Sequence, residues 1–311
     1  MRPIGHGGMG VVYEAEAVSG GERFAVKILD REHARDDKVV ARFAREGRAA
    51  SAAKSEHIVR VLDGGTEAGS PYLVMELLRG EDLGKRLRRL KRLGARESLG
   101  IVDQVLEGLA AAHAHGIVHR DLKPDNVILV QQGGDASFAR IVDFGMSKIE
   151  RPAGGTKPLE LTRKGVVLGT PLYMSPEQAR ALPELDARSD LYSVGAILFE
   201  CLTGRPPHVG ETYEQIMLAI CMNKAPDVRR WAPEVPAEVA SFVAKSLETE
   251  PDARWQTAAE MLTALRKAAG APPVDPRVLK RRARNRVIVA AAVAMLAGAL
   301  VTLAAILLAG R

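Results

Sequence analysis

The chain has 311 residues, 47% of them hydrophobic and 26% charged, so it can bury a sizeable core and is not expected to be disordered. Its net charge is +6, but the excess is concentrated in residues 277–286, which contain six basic residues and no acid. Because the remainder is close to neutral, a nucleic-acid-binding surface on the main domain is not expected. The two cysteines have no spacing that is typical of a metal site.

The N-terminal part of the chain is predicted to contain mainly strands. Apolar runs over residues 11–17 and 22–29 flank a Ser19-Gly20-Gly21 turn and predict two strands. A helix is predicted over residues 36–53 and a short strand over 72–76. After residue 97 the apolar side chains recur every three to four positions, which predicts helices. Strands followed by helices indicate an α+β fold, with a small β-rich lobe joined to a larger α-rich lobe.

A long apolar run lies near the C-terminal end, where residues 287–309 contain no charged side chain over 23 positions. At a rise of about 1.5 Å per residue, a helix of this length spans roughly 35 Å, enough to cross the hydrocarbon core of a membrane. Residues 270–276, Gly-Ala-Pro-Pro-Val-Asp-Pro, cannot remain helical and lead into the basic residues. We therefore predict a transmembrane helix whose basic flank keeps the preceding domain in the cytoplasm. A buried helix of a soluble domain is the alternative.

Residues 5–12, Gly-His-Gly-Gly-Met-Gly-Val-Val, fit the pattern G-x-G-x-x-G-x-V, in which glycines let the backbone approach phosphate groups. Rossmann dinucleotide-binding domains share this pattern. Here a predicted strand rather than a helix follows the glycines, so the dinucleotide alternative is disfavoured. Further along, Lys27 ends an apolar strand and Glu46 lies on the predicted helix. Taken alone, each of these two residues could be an ordinary surface side chain.

The most informative motif is His-Arg-Asp-Leu-Lys-Pro-Asp-Asn at residues 119–126, followed by Asp-Phe-Gly at residues 143–145. It places a candidate base, a lysine that can neutralise phosphate charge and two oxygen ligands for magnesium in one short stretch, as phosphoryl transfer requires. Over roughly residues 4–268 the chain resembles the bacterial eukaryotic-like (Hanks-type) Ser/Thr protein kinases. The resemblance implies the two-lobed protein-kinase fold, to which the predicted transmembrane helix is added.

The resemblance also implies roles for the residues of the catalytic core. Asp121 would accept or orient the proton of the substrate hydroxyl, and Lys123 would steady the γ-phosphate of ATP. Asn126 and Asp143 would hold Mg²⁺, or Mn²⁺ in its place. A pair formed by Lys27 and Glu46 would orient the lysine toward the α- and β-phosphates. The residues implied in ATP binding are Ile4, Gly5, His6, Gly7, Gly8, Met9, Gly10, Val11, Val12, Ala25, Lys27, Glu46, Met75, Glu76, Leu78, Asp82 and Ile128.

Within this set, the resemblance implies an adenine pocket. Met75 would lie at its back, Glu76 and Leu78 would offer backbone hydrogen bonds to the base, and Asp82 would reach the ribose. For Met75 and the aliphatic residues, packing in the core is the alternative, and one residue can serve both purposes. The residues implied to sandwich the adenine are Ile4, Val12, Ala25 and Ile128.

Residues 169–177, Gly-Thr-Pro-Leu-Tyr-Met-Ser-Pro-Glu, match the end of a protein-kinase activation segment, with Ser175 where the family usually has Ala. This block indicates a protein substrate rather than a small molecule, and Lys123 together with Thr170 favours Ser or Thr as the acceptor. Activating autophosphorylation is expected at Thr162, whereas Thr170 is expected to contact the catalytic loop.

Three further residues are implied to be structural. Glu177 is expected to pair with Arg254, which would hold the activation segment to the large lobe. Asp190 is expected to brace the catalytic loop from below.

The predicted organisation is a protein kinase domain at residues 1–268, with a small lobe at 1–77 and a large lobe at 78–268, then a linker and basic juxtamembrane segment at 269–286 and the transmembrane helix at 287–309. The first strand is expected to be truncated, because only four residues precede Gly5. We expect a single-pass protein of the cell (inner or plasma) membrane whose partners are protein substrates. Small residues spaced four apart in the helix suggest a homodimer: Ala290, Ala294, Gly298 and Thr302.

The alternative function is a kinase-fold scaffold that binds signalling partners without efficient phosphoryl transfer. Such scaffolds typically lose the phosphate-binding lysine, the catalytic aspartate or the metal-binding aspartate. Lys27, Asp121 and Asp143 are all present, which favours an active enzyme.

Overall fold

The computed structural model describes residues 1–7, 10–18, 20–37, 39–41, 43, 47, 53, 55–144 and 171–270. The strands are β1 (Arg2–Gly7), β2 (Gly10–Glu16), β3 (Arg23–Leu29), β4 (Val61–Glu67), β5 (Ser70–Glu76), β6 (Gly80–Asp82), β7 (Val127–Gln132) and β8 (Asp135–Ile141). The helices are α1 (Leu83–Leu90), α2 (Ala95–His113), α3 (Pro176–Ala179), α4 (Ala187–Thr203), α5 (Tyr213–Met222), α6 (Ala237–Ser246) and α7 (Ala258–Ala269). Strands precede helices, as predicted.

The first five strands form one antiparallel sheet in the order β1-β2-β3-β5-β4. Side chains of β5 alternate between buried and half-buried positions, with Leu73 and Met75 on the buried side, because successive residues of a strand point to opposite faces. Residues 37, 39–41, 43 and 47 are helical, within the helix predicted over 36–53. From this segment Val39 and Phe43 pack on Leu29 and Leu73 of the sheet.

The prediction of a truncated first strand is corrected by the structure. β1 begins at Arg2, which lies opposite Glu14 of β2, so the pairing reaches almost the full length of β2. The register shifts between Pro3 and Gly5. Such an irregularity accommodates a proline, which has no amide hydrogen to donate to the ladder.

The α-rich lobe begins with a second antiparallel sheet in the order β6-β7-β8. The β7–β8 turn uses Gly133 and Gly134 at φ 58° and 86°, as expected from the glycines in this hairpin. Helix α4 is largely buried and packs against α2 and α6. Its N-cap is Asp186, and it ends at Gly204 in the left-handed conformation, so both ends of the helix are capped by favoured residues.

No helix within the described ranges is long and apolar enough to cross a membrane. The predicted transmembrane helix at 287–309, and residues 271–286 of the predicted linker and basic segment, lie outside those ranges.

Candidate active site

The loop between α2 and β7 carries the two predicted catalytic residues. Lys123 Nζ lies 2.8 Å from Asp121 Oδ2, with 31% and 33% of the two side chains exposed, so a substrate can reach both. The Asn126 side-chain amide donates to the backbone oxygen of Asp121 at 2.8 Å. The loop therefore gathers a carboxylate, an ammonium group and an amide within hydrogen-bonding distance of one another.

Arg120 lies in the left-handed backbone region, with φ 66°, which is unfavourable for a residue with a long side chain. Asp190 of α4, almost fully buried, accepts hydrogen bonds from the backbone N–H groups of His119 and Arg120 at 2.7 and 2.8 Å. Gln178 of α3 donates to the Arg120 carbonyl oxygen at 2.6 Å. Three hydrogen bonds thus hold the unfavourable conformation just before Asp121, and Asp190 braces the loop as expected.

His119 joins the catalytic loop to the chain that precedes Asp143. Its Nδ1 accepts a hydrogen bond from the Asp121 N–H at 3.3 Å, and its Nε2 donates to the Val142 carbonyl oxygen at 2.9 Å. These two contacts assign the neutral tautomer that carries its hydrogen on Nε2. The ring also packs against Phe144, with 4.8 Å between centroids. His119 is therefore structural in this arrangement.

Lys27 and Asp143 come together from the two sheets. Lys27, 3% exposed on β3, places its Nζ 2.8 Å from Oδ1 of Asp143, which follows β8. Asp143 has φ 62°, a conformation that Asp and Asn tolerate better than most residues. Glu46, the expected partner of Lys27, lies outside the described residues.

The expected metal ligands Asn126 and Asp143 are close through the backbone, because the Val142 N–H donates to the Asn126 carbonyl oxygen at 3.0 Å. No cluster of three or more His, Cys, Asp or Glu side chains suited to a metal occurs in the part of the chain that the structure describes. One carboxylate and one amide oxygen fit Mg²⁺, which proteins commonly hold with one or two carboxylates together with substrate phosphates. The residues present therefore fit a metal that binds with a phosphate-bearing ligand.

The expected adenine pocket is partly assembled. Ala25, Met75 and Val59 form a buried apolar cluster, against which Val12 and Leu78 pack. Met75 lies opposite Ala25 across β5 and β3.

Two of the implied adenine contacts lie elsewhere. Ile4 is 43% exposed on β1, and Ile128 of β7 is half-buried outside this cluster as the structure describes it. The described residues thus provide apolar surface from β2, β3, β5 and the segment after β5, but not from Ile128.

Asp82 and Glu76 are occupied by protein groups on their side chains. Asp82 caps α1, accepting from the Lys85 N–H at 2.7 Å, and its other oxygen lies 2.8 Å from Lys85 Nζ. Glu76 accepts from the Arg60 N–H at 2.7 Å and pairs with Arg140 of β8. The expected ribose contact of Asp82 would therefore compete with a helix cap.

The glycine-rich residues form the β1–β2 hairpin, where Gly7 lies opposite Gly10. A Cβ on Gly10 would lie 2.1 Å from the Ile28 carbonyl oxygen, so a glycine is required here for β2 to approach β3. A Cβ on Gly5 would meet no atom closer than 3.9 Å. Gly8 and Met9 lie outside the described residues, and Val11 is half-buried on β2.

The expected ion pair between Glu177 and Arg254 is present and buried. Both oxygens of Glu177 accept from Arg254 at 2.8 Å, and Ser189 donates to the same carboxylate at 2.7 Å. Burial alone would raise the pKa of Glu177, but the hydrogen bonds and charge of Arg254, with Ser189, hold it below its ordinary value of 4.5. Thr162 and Thr170 lie outside the described residues.

The end of the activation segment is attached to the large lobe by hydrogen bonds. Ser175 is the N-cap of α3 and forms a reciprocal capping box with Gln178, which Ala at this position could not do. Tyr173 donates to Glu200 of α4 at 2.6 Å. Burial and the charge of Asp125 raise the pKa of Glu200.

Sequence reasoning missed two groups that hold the catalytic loop, Gln178 and His113. His113 Nε2 lies 2.9 Å from the buried Asp190 carboxylate. Both groups come from segments distant in sequence, and their only signal was their place near the motifs. Tyr192 stands where the family usually has Trp, and the Arg254 guanidinium lies 5.0 Å from its ring centroid.

Residues 1–265 match the protein kinase domain family. The chain belongs to this family. It is 37% identical over 268 residues to the serine/threonine-protein kinase Pkn1 of Myxococcus xanthus, with 86% of this chain and 38% of that protein covered. It is 35% identical over 277 residues to the serine/threonine-protein kinase PrkC of Bacillus subtilis, with 89% of this chain and 41% of that protein covered.

The protein kinase is also similar to solved structures. The PknI kinase domain of Mycobacterium tuberculosis has a TM-score of 0.66 and 25% identity, with 86% of this chain and 94% of that chain covered. Rad53 residues 1–466 in complex with AMP-PNP has a TM-score of 0.69 and 28% identity, with 85% and 63% covered. The chain spans between 38% and 41% of the length of its first curated relatives. The fold is thus the two-lobed protein-kinase fold.

Proposed function

We propose that this protein is an ATP-dependent serine/threonine protein kinase, which transfers the γ-phosphate of ATP to Ser or Thr hydroxyls of protein substrates. The observation that carries the proposal is the assembly of Lys27, Asp143 and the catalytic loop in one site, with Lys27 Nζ 2.8 Å from Asp143 and Lys123 Nζ 2.8 Å from Asp121. The curated relatives named above are serine/threonine-protein kinases, which supports the same conclusion.

The protein side chains would act through position and charge. Asp121 would orient the acceptor hydroxyl and accept its proton, while Lys123 would offset charge on the transferred phosphate. Lys27 would exchange its contact with Asp143 for the α- and β-phosphates. Mg²⁺ or Mn²⁺, held by Asn126 and Asp143, would neutralise phosphate charge. The loose transition state of phosphoryl transfer needs in-line positioning and charge neutralisation, which this set of side chains can supply.

The test uses the full chain of 311 residues in detergent micelles, with labelled ATP, Mg²⁺ and a generic protein substrate. We expect label on Ser or Thr in wild type, and none above background in the matched Asp143→Asn protein. Binding of ATP without label transfer would favour the scaffold alternative. Label found only on Tyr would contradict the acceptor specificity.

Regulation by phosphorylation is the second part of the proposal. Arg120 directly precedes the catalytic Asp121, and a phosphate adds about −1.5 to −2 charge that can order a loop against cations. Thr162 is the proposed site of autophosphorylation, and Thr170 is proposed to contact the catalytic loop instead. Mass spectrometry of active enzyme should find phosphate at Thr162 that is missing from Asp143→Asn. Active enzyme with an unmodified Thr162 would contradict this assignment.

The third part is a membrane anchor at residues 287–309, with the kinase domain on the cytoplasmic side. It is supported by 23 uncharged positions behind a basic segment. The full chain expressed in bacteria should stay in the membrane pellet after alkaline extraction. Protease added to intact spheroplasts should leave the kinase domain uncut. Release by alkali would argue against the anchor.

The small residues at every fourth position of that helix support a weak homodimer, which would promote phosphorylation between copies. Gly298→Leu should lower self-association in lipid bilayers, and Ala299→Leu, on another face of the helix, is the matched control. Equal self-association of the two variants and wild type would leave the anchor but remove the dimer.

A further inference from the structure

The outer edge of β8 is not paired with another strand in the part of the chain that the structure describes, and side chains and a loop hold it instead. Ala139 donates its N–H to Gln104 of α2 at 2.7 Å, and its carbonyl oxygen faces His57 Nδ1 at 3.0 Å. Two residues on, the Ile141 N–H donates to the His57 carbonyl oxygen at 2.8 Å, and Val59 donates back to Ile141 at 2.9 Å. The 55–60 loop therefore replaces a neighbouring strand along the last residues before Asp143.

His57 is the residue that fastens this loop. It is only 4% exposed, and its ring packs against Phe138 with 4.7 Å between centroids. Its second ring nitrogen, Nε2, lies 3.2 Å from Glu107 Oε2 of α2. One ring thus bridges a strand carbonyl and a helix carboxylate, and each nitrogen faces an acceptor oxygen. Gly108 permits the approach, because a Cβ there would lie 3.3 Å from the His57 Cβ and 2.9 Å from Ile141.

We propose that His57 and Glu107 are positioning residues of the kinase site, which hold the end of β8 and thereby the metal-ligand position of Asp143. The route is short, because Ile141 is two residues before Asp143, and Val142 is hydrogen-bonded to the metal-ligand residue Asn126. The same 55–60 loop leads into β4 and follows the partly described helix that carries Glu46. His57 therefore lies where a displacement would reach both the metal ligands and the small lobe. This inference rests on the proposed function only for its catalytic consequence.

Glu107 offers a clean variant, since 40% of its side chain is exposed and Glu107→Gln conserves its shape. Its other oxygen pairs with Arg266 of α7, which also binds Asp103 at 2.8 Å. Asp103 lies one turn earlier on α2 and is bonded to Arg266 rather than to His57 in the described structure. Asp103→Asn is therefore the matched control: it removes a carboxylate partner of Arg266 and leaves the His57 contact in place.

The first measurement is amide hydrogen exchange in the full chain without nucleotide. Glu107→Gln should speed exchange at Val59 and Ile141 by about five- to tenfold, the size expected for losing one hydrogen bond to a charged group, whereas Asp103→Asn should not. His57→Phe, which conserves the ring, should give the same change, and adding Glu107→Gln to it should change nothing further. Equal exchange in Glu107→Gln and Asp103→Asn, or additive effects in the double variant, would overturn the proposal.

The second measurement is Mg²⁺-dependent binding of a fluorescent ATP analogue, with phosphoryl transfer followed in parallel. Glu107→Gln should raise the Mg²⁺ concentration for half-maximal binding about fivefold, with the KM for protein substrate unchanged. Faster exchange without a changed Mg²⁺ requirement would overturn the positioning role. A wild type that binds but does not transfer phosphate would instead count against the proposed function, and the binding and exchange results would still decide this inference.

Discussion

Lys27 Nζ donates to Asp143 Oδ1 at 2.8 Å, so a buried lysine of the five-stranded sheet meets the first residue after Ile141 and Val142 at the end of the three-stranded sheet. The contact joins the two lobes at the point where phosphate and metal are proposed to bind. Each residue is therefore held in place by a group that a bound nucleotide would replace.

Asp143→Asn should abolish phosphoryl transfer, because it removes a carboxylate charge from the metal ligand. Asn tolerates the left-handed conformation at φ 62°, so the backbone should be unchanged. We expect at least a loss of about a hundredfold in kcat, similar to removing one electrostatic contact to a transition state. Lys27→Met should also lower kcat severely. Initial rates at saturating ATP measure both, and near-normal turnover in either variant would refute the assignment.

Glu177→Gln should destabilise the folded protein by about 3–5 kcal/mol at neutral pH, because it leaves the buried Arg254 without its carboxylate partner. Exposed Glu184 in the following loop is the control, where Gln should change little. Urea unfolding at pH 7 compares the variants.

The same pair should contribute to acid unfolding. Because the folded-state pKa of Glu177 lies below its ordinary value of 4.5, the carboxylate stabilises the protein fully above that value, and this contribution disappears as pH falls through the lowered pKa. Wild type should therefore lose more stability than Glu177→Gln when unfolding is measured from pH 5 down to about pH 2.5. Parallel stability curves for the two proteins over that range would contradict the buried pair as the cause.

Tyr192→Phe should stabilise the protein. The Tyr192 hydroxyl is buried and has no hydrogen-bond partner among the described residues, so its removal relieves a cost of about 1 kcal/mol. The midpoint of thermal unfolding should rise by about 2–4 °C. Tyr173→Phe is the opposite control, because its hydroxyl donates to Glu200, and it should lower the midpoint. A lower midpoint for Tyr192→Phe would show that the hydroxyl is satisfied in solution.

Gly10→Ala and Gly5→Ala should separate packing from phosphate binding in the glycine-rich hairpin. The Gly10 variant should lose about 1–3 kcal/mol of stability, because its Cβ would strike the Ile28 carbonyl oxygen. The Gly5 variant should unfold like wild type, since its Cβ has space. Thermal unfolding without nucleotide measures both, and equal midpoints would remove the packing role of Gly10.

Particular residues show how far the sequence alone could reach. The motif spacing was sufficient to select Asp121, Lys123, Asn126 and Asp143, because phosphoryl transfer needs those chemical groups in one place and few other sequences supply them. The partnership of Glu177 with Arg254 also followed from the resemblance. Apolar periodicity predicted strands before helices, since burial on one face imposes the period of each element.

Only the tertiary structure decided which protein groups hold these residues. The reach of β1 back to Arg2 depends on strand pairing around Pro3, which composition cannot show. The contacts of His113 with Asp190 and of His57 with Glu107 join residues 77 and 50 positions apart. Such contacts depend on how helices and strands pack in three dimensions, and a histidine that is satisfied in the core has no local pattern to distinguish it. The chemistry of the site was therefore written in short motifs, whereas its support was decided by packing between distant segments.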